Sequence, residues 1–507
     1  MEKQRVIFWK WSVLLILCIG GMILLFPVME SASYARPVND DYSFSYLTHQ
    51  AVVNHTNVIT AAFEEVRQIY FSWQGTYAAI FLFSLQPGIF GNYQLTTWIL
   101  VLTLLIGILF FSMQALTVIY DPDQRRTSLC LGGMIAVLTF LLMMEGMPSI
   151  PEGLYWYNGA VYYTFFFSLS LILLGLLTGV FTGKTGLPGK IVAVILSVVI
   201  SGGNYTTALV TLELVFLVLI YSIWNVRDHS VFCKAVKIRC GKQQTAFLSL
   251  LFVISGVCFA VSIAAPGNQQ RVEAVGGLSA SLAIKEAFRQ ALILIRQYTG
   301  LLQLLFALIL VLIFLLSAGQ MRKLRHPIWS LLFGSLVLFL LFVSGLVPPI
   351  YGVGNIGAGR QQNIYYYTYL ILLSEESWLA VCCINSLIRN DRWMRVRKGL
   401  ILADMCFFLA VALFTAVKFD FAQTPTGKAA AALQDSSLKV YAAAYDSITE
   451  QLVQAEGSGM DVIIGSIPST PEIFESLQVE EDPEGWVNVA MARYYGLGSV
   501  RADGAEQ

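Results

Sequence analysis

The sequence predicts an all-α polytopic membrane protein with a small α/β tail. Three observations carry the prediction. Of 507 residues, 56% are hydrophobic and only 13% charged, a balance too apolar for a water-soluble domain. Apolar runs long enough for a span of about 20 residues recur from end to end. Lys and Arg crowd alternate connections, the pattern of a chain that threads a membrane repeatedly.

Eleven hydrophobic segments are predicted, near 11–29, 94–119, 128–144, 158–181, 190–201, 205–225, 246–264, 291–318, 327–347, 364–388 and 399–417. The first follows "MEKQR" and precedes "SASYA", which also fits a signal peptide cleaved after Ala35. The run is long for such a peptide, and a retained helix is expected. The N-terminus and the connections "DPDQRR", "GKTGLPGK", "RDHSVFCKAVKIRCGK", "RKLRH" and "RNDRWMRVRK" hold 20 of the 32 basic residues. The opposite loops hold seven and the tail five. The bias predicts an N-terminus in the cytoplasm and a C-terminus outside.

The outer side carries the irregular sequence. Its first loop, 30–93, contains "VITAAFEEVRQIYFSWQGTYAAIFLFSLQ". Apolar residues recur there at helical spacing, which predicts one or two helices in the interface. The segment 190–201 is short for a span and is followed by "SGGNYTT". Two readings of Gly202, Gly203 and Asn204 stand equal, a cavity lining or a tight hairpin. A membrane domain, 1–417, is followed by an extracytoplasmic tail, 418–507. The tail reads as a long amphipathic helix, a short strand at "DVIIGSIP" and a last helix at "GWVNVAMARYYGL".

Zero net charge offers nothing to nucleic acid. All eight cysteines fall in membrane segments or inner loops, so no external disulfide is expected. Cys233 and Cys240 are a lone pair without a second pair to complete a metal site, and no metal or other cofactor is indicated, although the acidic pair discussed next is able to bind a divalent ion.

That pair is Asp40–Asp41 in "RPVNDDYSFSYLTHQ", just beyond the first helix. Neighbouring like charges raise one pKa, which suits a general base, whereas "ND" and "DD" are also ordinary turn sequences. The other outer loops add Glu145, then Trp156 and Tyr157 in "EGLYWYNG", then Asn268 and Arg271 in "AAPGNQQR". They end with Arg360, Gln361 and Asn363 in "GAGRQQN". If helical, Arg360, Asn363 and Tyr367 share a face. Arg is the preferred phosphate partner because its planar fork binds two oxygens, while a single Arg at an interface is often only snorkelling. A carboxylate with two arginines at a membrane boundary points to glycosyl transfer from a lipid-linked sugar phosphate. The carboxylate takes the acceptor hydroxyl's proton, and the arginines stabilise the departing polyprenyl phosphate. Glu213, inside a segment, is a further candidate by its depth.

"NDDYSF" in a long first outer loop resembles the acidic motif of GT-C type glycosyltransferases. The set "NDDY" (39–42), Trp73–Gly75–Tyr77, Tyr155–Trp156–Gly159, Gly202–Asn204 and "APGNQQR" (265–271) is similar to an uncharacterised bacterial multi-pass family. The GT-C resemblance implies Asp41 or Asp40 as base, with Asp41 preferred. Arg271, Arg360 and Asn268 are expected at the donor phosphate. Glu145, Trp156, Tyr157, Asn204, Gln361, Asn363 and Trp73 are expected around sugar or acceptor. It implies a polyprenyl-phosphate-sugar donor, made by a separate synthase and delivered by a flippase, and a cell-surface glycan or teichoic-type acceptor. Competing readings are a polysaccharide polymerase or ligase using a lipid diphosphate, a lipid-linked-sugar transporter, and a membrane scaffold.

Overall fold

The computed structural model describes residues 2–120, 124–228, 241–321, 323–388, 390–465 and 469–503. Ten of the helices described are long and apolar enough to cross a membrane, which makes the chain a multi-pass membrane protein. The predicted segment near 190–201 forms the helix Leu187–Ser201. Its 15 residues rise roughly 22 Å, short of the roughly 30 Å hydrocarbon core. Cys233 and Cys240 lie outside the described residues, and among the described residues no disulfide joins the other six cysteines.

The predicted run 291–318 is corrected. It is divided between the helices Ala280–Tyr298 and Leu301–Ser317, with Gly300 extended between them. The first of these is amphipathic. Ala283, Ala287 and Ala291 form a buried small-residue stripe that packs on the helix Pro327–Val353. Only from Leu301 is the chain apolar all round, so only there does a spanning helix begin.

The first loop holds more helix than expected: Asp40–Ser43, Tyr46–Val53, Val58–Ser72 and Tyr77–Ser84. The tail's predicted long helix is two, Pro425–Gln434 and Ser437–Gln454, broken at Ser436, whose φ is 63°. The expected strand, Asp461–Ile464, pairs in parallel with Ser499–Ala502, a strand the sequence reading missed. The tail shares its core with the rest of the chain. Tyr441, Tyr445 and Phe474 belong to one apolar cluster with Leu104 and Tyr155. Val487, Met491 and Tyr495 belong to another with Tyr42 and Ile89.

Between the long helices lies an apolar cavity of about 510 Å³. It is walled by the helices Leu95–Ile119, Phe166–Phe181, Tyr205–Asp228, Pro327–Val353 and Gly359–Leu387. Tyr365 lines one end and Trp378 the other, roughly 20 Å apart along one helix.

Candidate functional site

The motifs read from the sequence converge at one end of the helical bundle, and the four residues of "NDDY" divide the work. Asn39 has a φ of 51°, a region that Asn tolerates better than most residues. Its amide donates to the Ser476 carbonyl and accepts from the Gln478 N–H, each at 2.9 Å, so it holds the tail. Tyr42 also holds the tail, through a 2.5 Å hydroxyl pair with Tyr445.

Asp41 is fully buried. Its carboxylate accepts from the Val38 N–H (3.0 Å), the Tyr93 hydroxyl (2.6 Å) and the Asn158 N–H (3.2 Å). Burial nevertheless pushes its pKa up to about 7, against the pull of those donors. It is a joint between the first loop and the "YWYNG" turn.

Among the described residues Asp40 makes no hydrogen bond through its carboxylate, and it stays partly exposed. Burial raises its pKa, while Arg360 and Arg271 act on it from the opposite direction. Of the two aspartates, it is the one open to a ligand.

Each arginine is built the same way. The Arg271 guanidinium carbon lies 5.6 Å from the Trp73 ring centroid, and Nη1 donates to Gln74. The Arg360 guanidinium lies 4.8 Å from the Trp156 ring. Its Nη1 donates to Glu152 Oε1 at 2.6 Å, and its backbone N–H to Glu152 Oε2 at 2.8 Å. An aromatic face and one acceptor fix each fork, leaving further N–H groups for an anion. Trp156 itself sits between two wide π-helical turns, Pro151–Tyr155 and Val161–Phe165. Such turns re-aim side chains and recur at functional sites.

Most other predicted site residues are bonded within the protein. Asn268 accepts from the Gly75 N–H (3.0 Å) and the Tyr205 hydroxyl (2.7 Å), and donates to the carbonyls of Ser262 and Ile263. All four hydrogen-bonding positions of its amide are thus taken by the protein. Around it "W-x-G" and "APGN" interlock. A Cβ on Gly75 would lie 1.9 Å from the Ser262 carbonyl oxygen, and one on Gly267 2.3 Å from the Trp73 nitrogen.

Asn204 accepts from the Thr207 N–H and donates to the Tyr162 carbonyl. Beside it, Gly202 abuts the Tyr77 ring and Gly203 the Phe166 ring. The tight hairpin is therefore the reading that holds. Asn363 clamps Ser149 through both backbone groups. Glu145 binds the backbone and hydroxyl of Thr426, anchoring a tail helix. The Tyr157 hydroxyl donates to the Leu82 carbonyl at 2.8 Å. Gln361 donates to Thr206 Oγ1 at 3.2 Å and accepts from Tyr163. Glu213 accepts from Ser344 Oγ at 2.5 Å.

Three residues were missed in the sequence. Tyr93 and Glu152 orient Asp41 and Arg360, and Glu375 lines the membrane cavity. Only Glu152 had a signal, as the single carboxylate within the "IPEGLYWYNG" turn opposite two arginines. Among the described residues no three His, Cys, Asp or Glu side chains cluster as metal ligands. Comparison with protein-family models, curated proteins and solved structures returns no match.

Proposed function

We propose that the chain is a membrane glycosyltransferase that moves a sugar from a polyprenyl-phosphate donor to an extracytoplasmic glycan or teichoic-type acceptor. The observation that carries this reading is Asp40, an unbonded carboxylate within the field of two Trp-backed arginines. The wall of the apolar cavity is one hydrogen bond from the neighbour of Arg360. Gln361, next to Arg360, bonds Thr206 in the cavity wall. A phosphate held by the arginines would leave its prenyl chain in that cavity.

In the step itself, Asp40 accepts the proton of the attacking hydroxyl. The new bond forms between that oxygen and the anomeric carbon, and the bond from that carbon to the phosphate oxygen breaks. The polyprenyl phosphate departs with the extra negative charge, which Arg271 and Arg360 offset. The basic bias of the opposite loops supports an outer-face position for this site.

Two separate arginine sites also favour one second reading, a lipid diphosphate donor. The test is transfer by purified protein in nanodiscs. Labelled polyprenyl-phosphate hexoses and isolated cell-wall polymer serve as substrates, with Asp40→Asn as control. Label reaching polymer only with unsubstituted Asp40 supports the proposal. Transfer from diphosphate donors alone selects the second reading, and no transfer from either class rejects both.

A further inference from the structure

The tail brings one more carboxylate to this site. Ile473 and Phe474 are buried, and the Phe474 ring meets Tyr155 edge-on at 5.1 Å between centroids. Two residues on, the Ser476 carbonyl and the Gln478 N–H bracket Asn39. The stretch is thus clamped on one side to the residue preceding Trp156 and on the other to the residue preceding Asp40. Between the clamps sits Glu475, partly buried. Its carboxylate makes no hydrogen bond to the described protein, and it lies within the electrostatic reach of Glu152 and Arg360. Burial raises its pKa, with Glu152 pushing the same way and Arg360 opposing.

We infer that Glu475 is a sugar-specificity residue, accepting hydroxyl hydrogen bonds from the hexose of the donor; this rests on the transferase reading above. The reasoning is electrostatic. A carboxylate repels a phosphate, so Glu475 marks where the anion subsite around Arg360 ends. The part of the donor that lies there must be its neutral hydroxyl-bearing part, the hexose joined to that phosphate. A carboxylate accepts two hydroxyls at once and makes stronger bonds than a neutral acceptor. It also repels a sugar that carries its own carboxylate. The site therefore takes neutral or amino hexoses in preference to uronic acids. The tail becomes part of the binding site rather than a support for it.

The test measures binding of two probes to full-length protein in nanodiscs, undecaprenyl phosphate and undecaprenyl-phosphate glucose, for the unsubstituted chain and Glu475→Gln. Thermal melting of both proteins checks that the isosteric change leaves the fold intact. The expected result is about tenfold weaker binding of the glucose-bearing lipid, with binding of the sugar-free lipid unchanged. Equal loss for both lipids, or loss for neither, overturns the role of Glu475 and leaves the transferase reading standing. If the unsubstituted protein binds neither lipid, the transferase reading falls and this inference falls with it.

Discussion

Asp40 and Asp41 are adjacent in the chain, yet among the described residues one carboxylate is held by three donors and the other by none. Asp41 accepts three hydrogen bonds in the interior, whereas Asp40 has only the fields of Arg360 and Arg271 for company. Substitution should separate them. Asp40→Asn is expected to fold normally and lose activity by 10²-fold or more, the usual worth of a general base. Asp41→Asn should lose about 1–3 kcal/mol of stability, because the amide nitrogen that replaces one oxygen cannot accept and leaves a buried donor unpaired. Activity and thermal melting measured on the same preparations distinguish the two effects. Equal behaviour of the variants contradicts the assignment.

Acidity acts on the two carboxylates in opposite senses. The folded pKa of Asp41, about 7, lies above the roughly 3.9 of an unfolded Asp. Between these values the folded state binds more protons, so this group's contribution to stability falls as pH rises from about 4 to about 7. Asp41→Asn should flatten that slope in a melting series. Asp40 must be ionised to act as base, and its pKa is raised. Activity should therefore be lost on acidification while the pH is still above the usual carboxylate range.

Arg360 depends on Glu152, which binds its side chain and its backbone N–H together. Glu152→Gln keeps the shape and removes the charge that orients the fork. Because Arg360 offsets charge that grows as the phosphate departs, kcat and kcat/KM for a lipid-linked sugar should both fall about tenfold. A rise in KM with kcat unchanged would confine Arg360 to ground-state binding of the phosphate instead.

The interlocked loops are intolerant of a single methyl group. Gly75→Ala forces a carbon to 1.9 Å from the Ser262 carbonyl oxygen, a backbone atom that has no rotamer to change. The expected cost is about 1–3 kcal/mol or more. It should appear as a lowered melting temperature, together with weakened Arg271-dependent phosphate binding.

The cavity offers a test remote from the site. Val210 lines it, and Val210→Trp fills much of the space available to a chain. Binding of an undecaprenyl phosphate should weaken several-fold, while a short-chain prenyl phosphate is unaffected. Equal affinity of the variant and the unsubstituted protein for the long lipid would place its tail elsewhere.

Much of the architecture was legible because membrane insertion is a local property. A run such as Leu95–Ile119 must be helical in hydrocarbon, since no water is present to satisfy its backbone. The limits appeared where locality fails. The segment 291–318 carries enough apolar residues to read as one span, yet a packed alanine stripe and a break at Gly300 divide it. The tail's second strand, Ser499–Ala502, has a partner 38 residues away and no alternation strong enough to announce itself.

Sequence alone determined which residue types stand at the site: the acidic pair, the two arginines, and the tryptophans that back them. It did so because such residues are rare in so apolar a chain and fall in connections. Which of them are free for a ligand was decided by tertiary structure. The partners that settle the matter lie far along the chain: Tyr93 is 52 residues from Asp41, Asn158 is 117, and Glu152 is 208 from Arg360. Hydrogen-bond saturation is a property of the folded neighbourhood. No spacing in the sequence states that the Asn268 amide has all its bonds made and that the Asp40 carboxylate has none among the described residues.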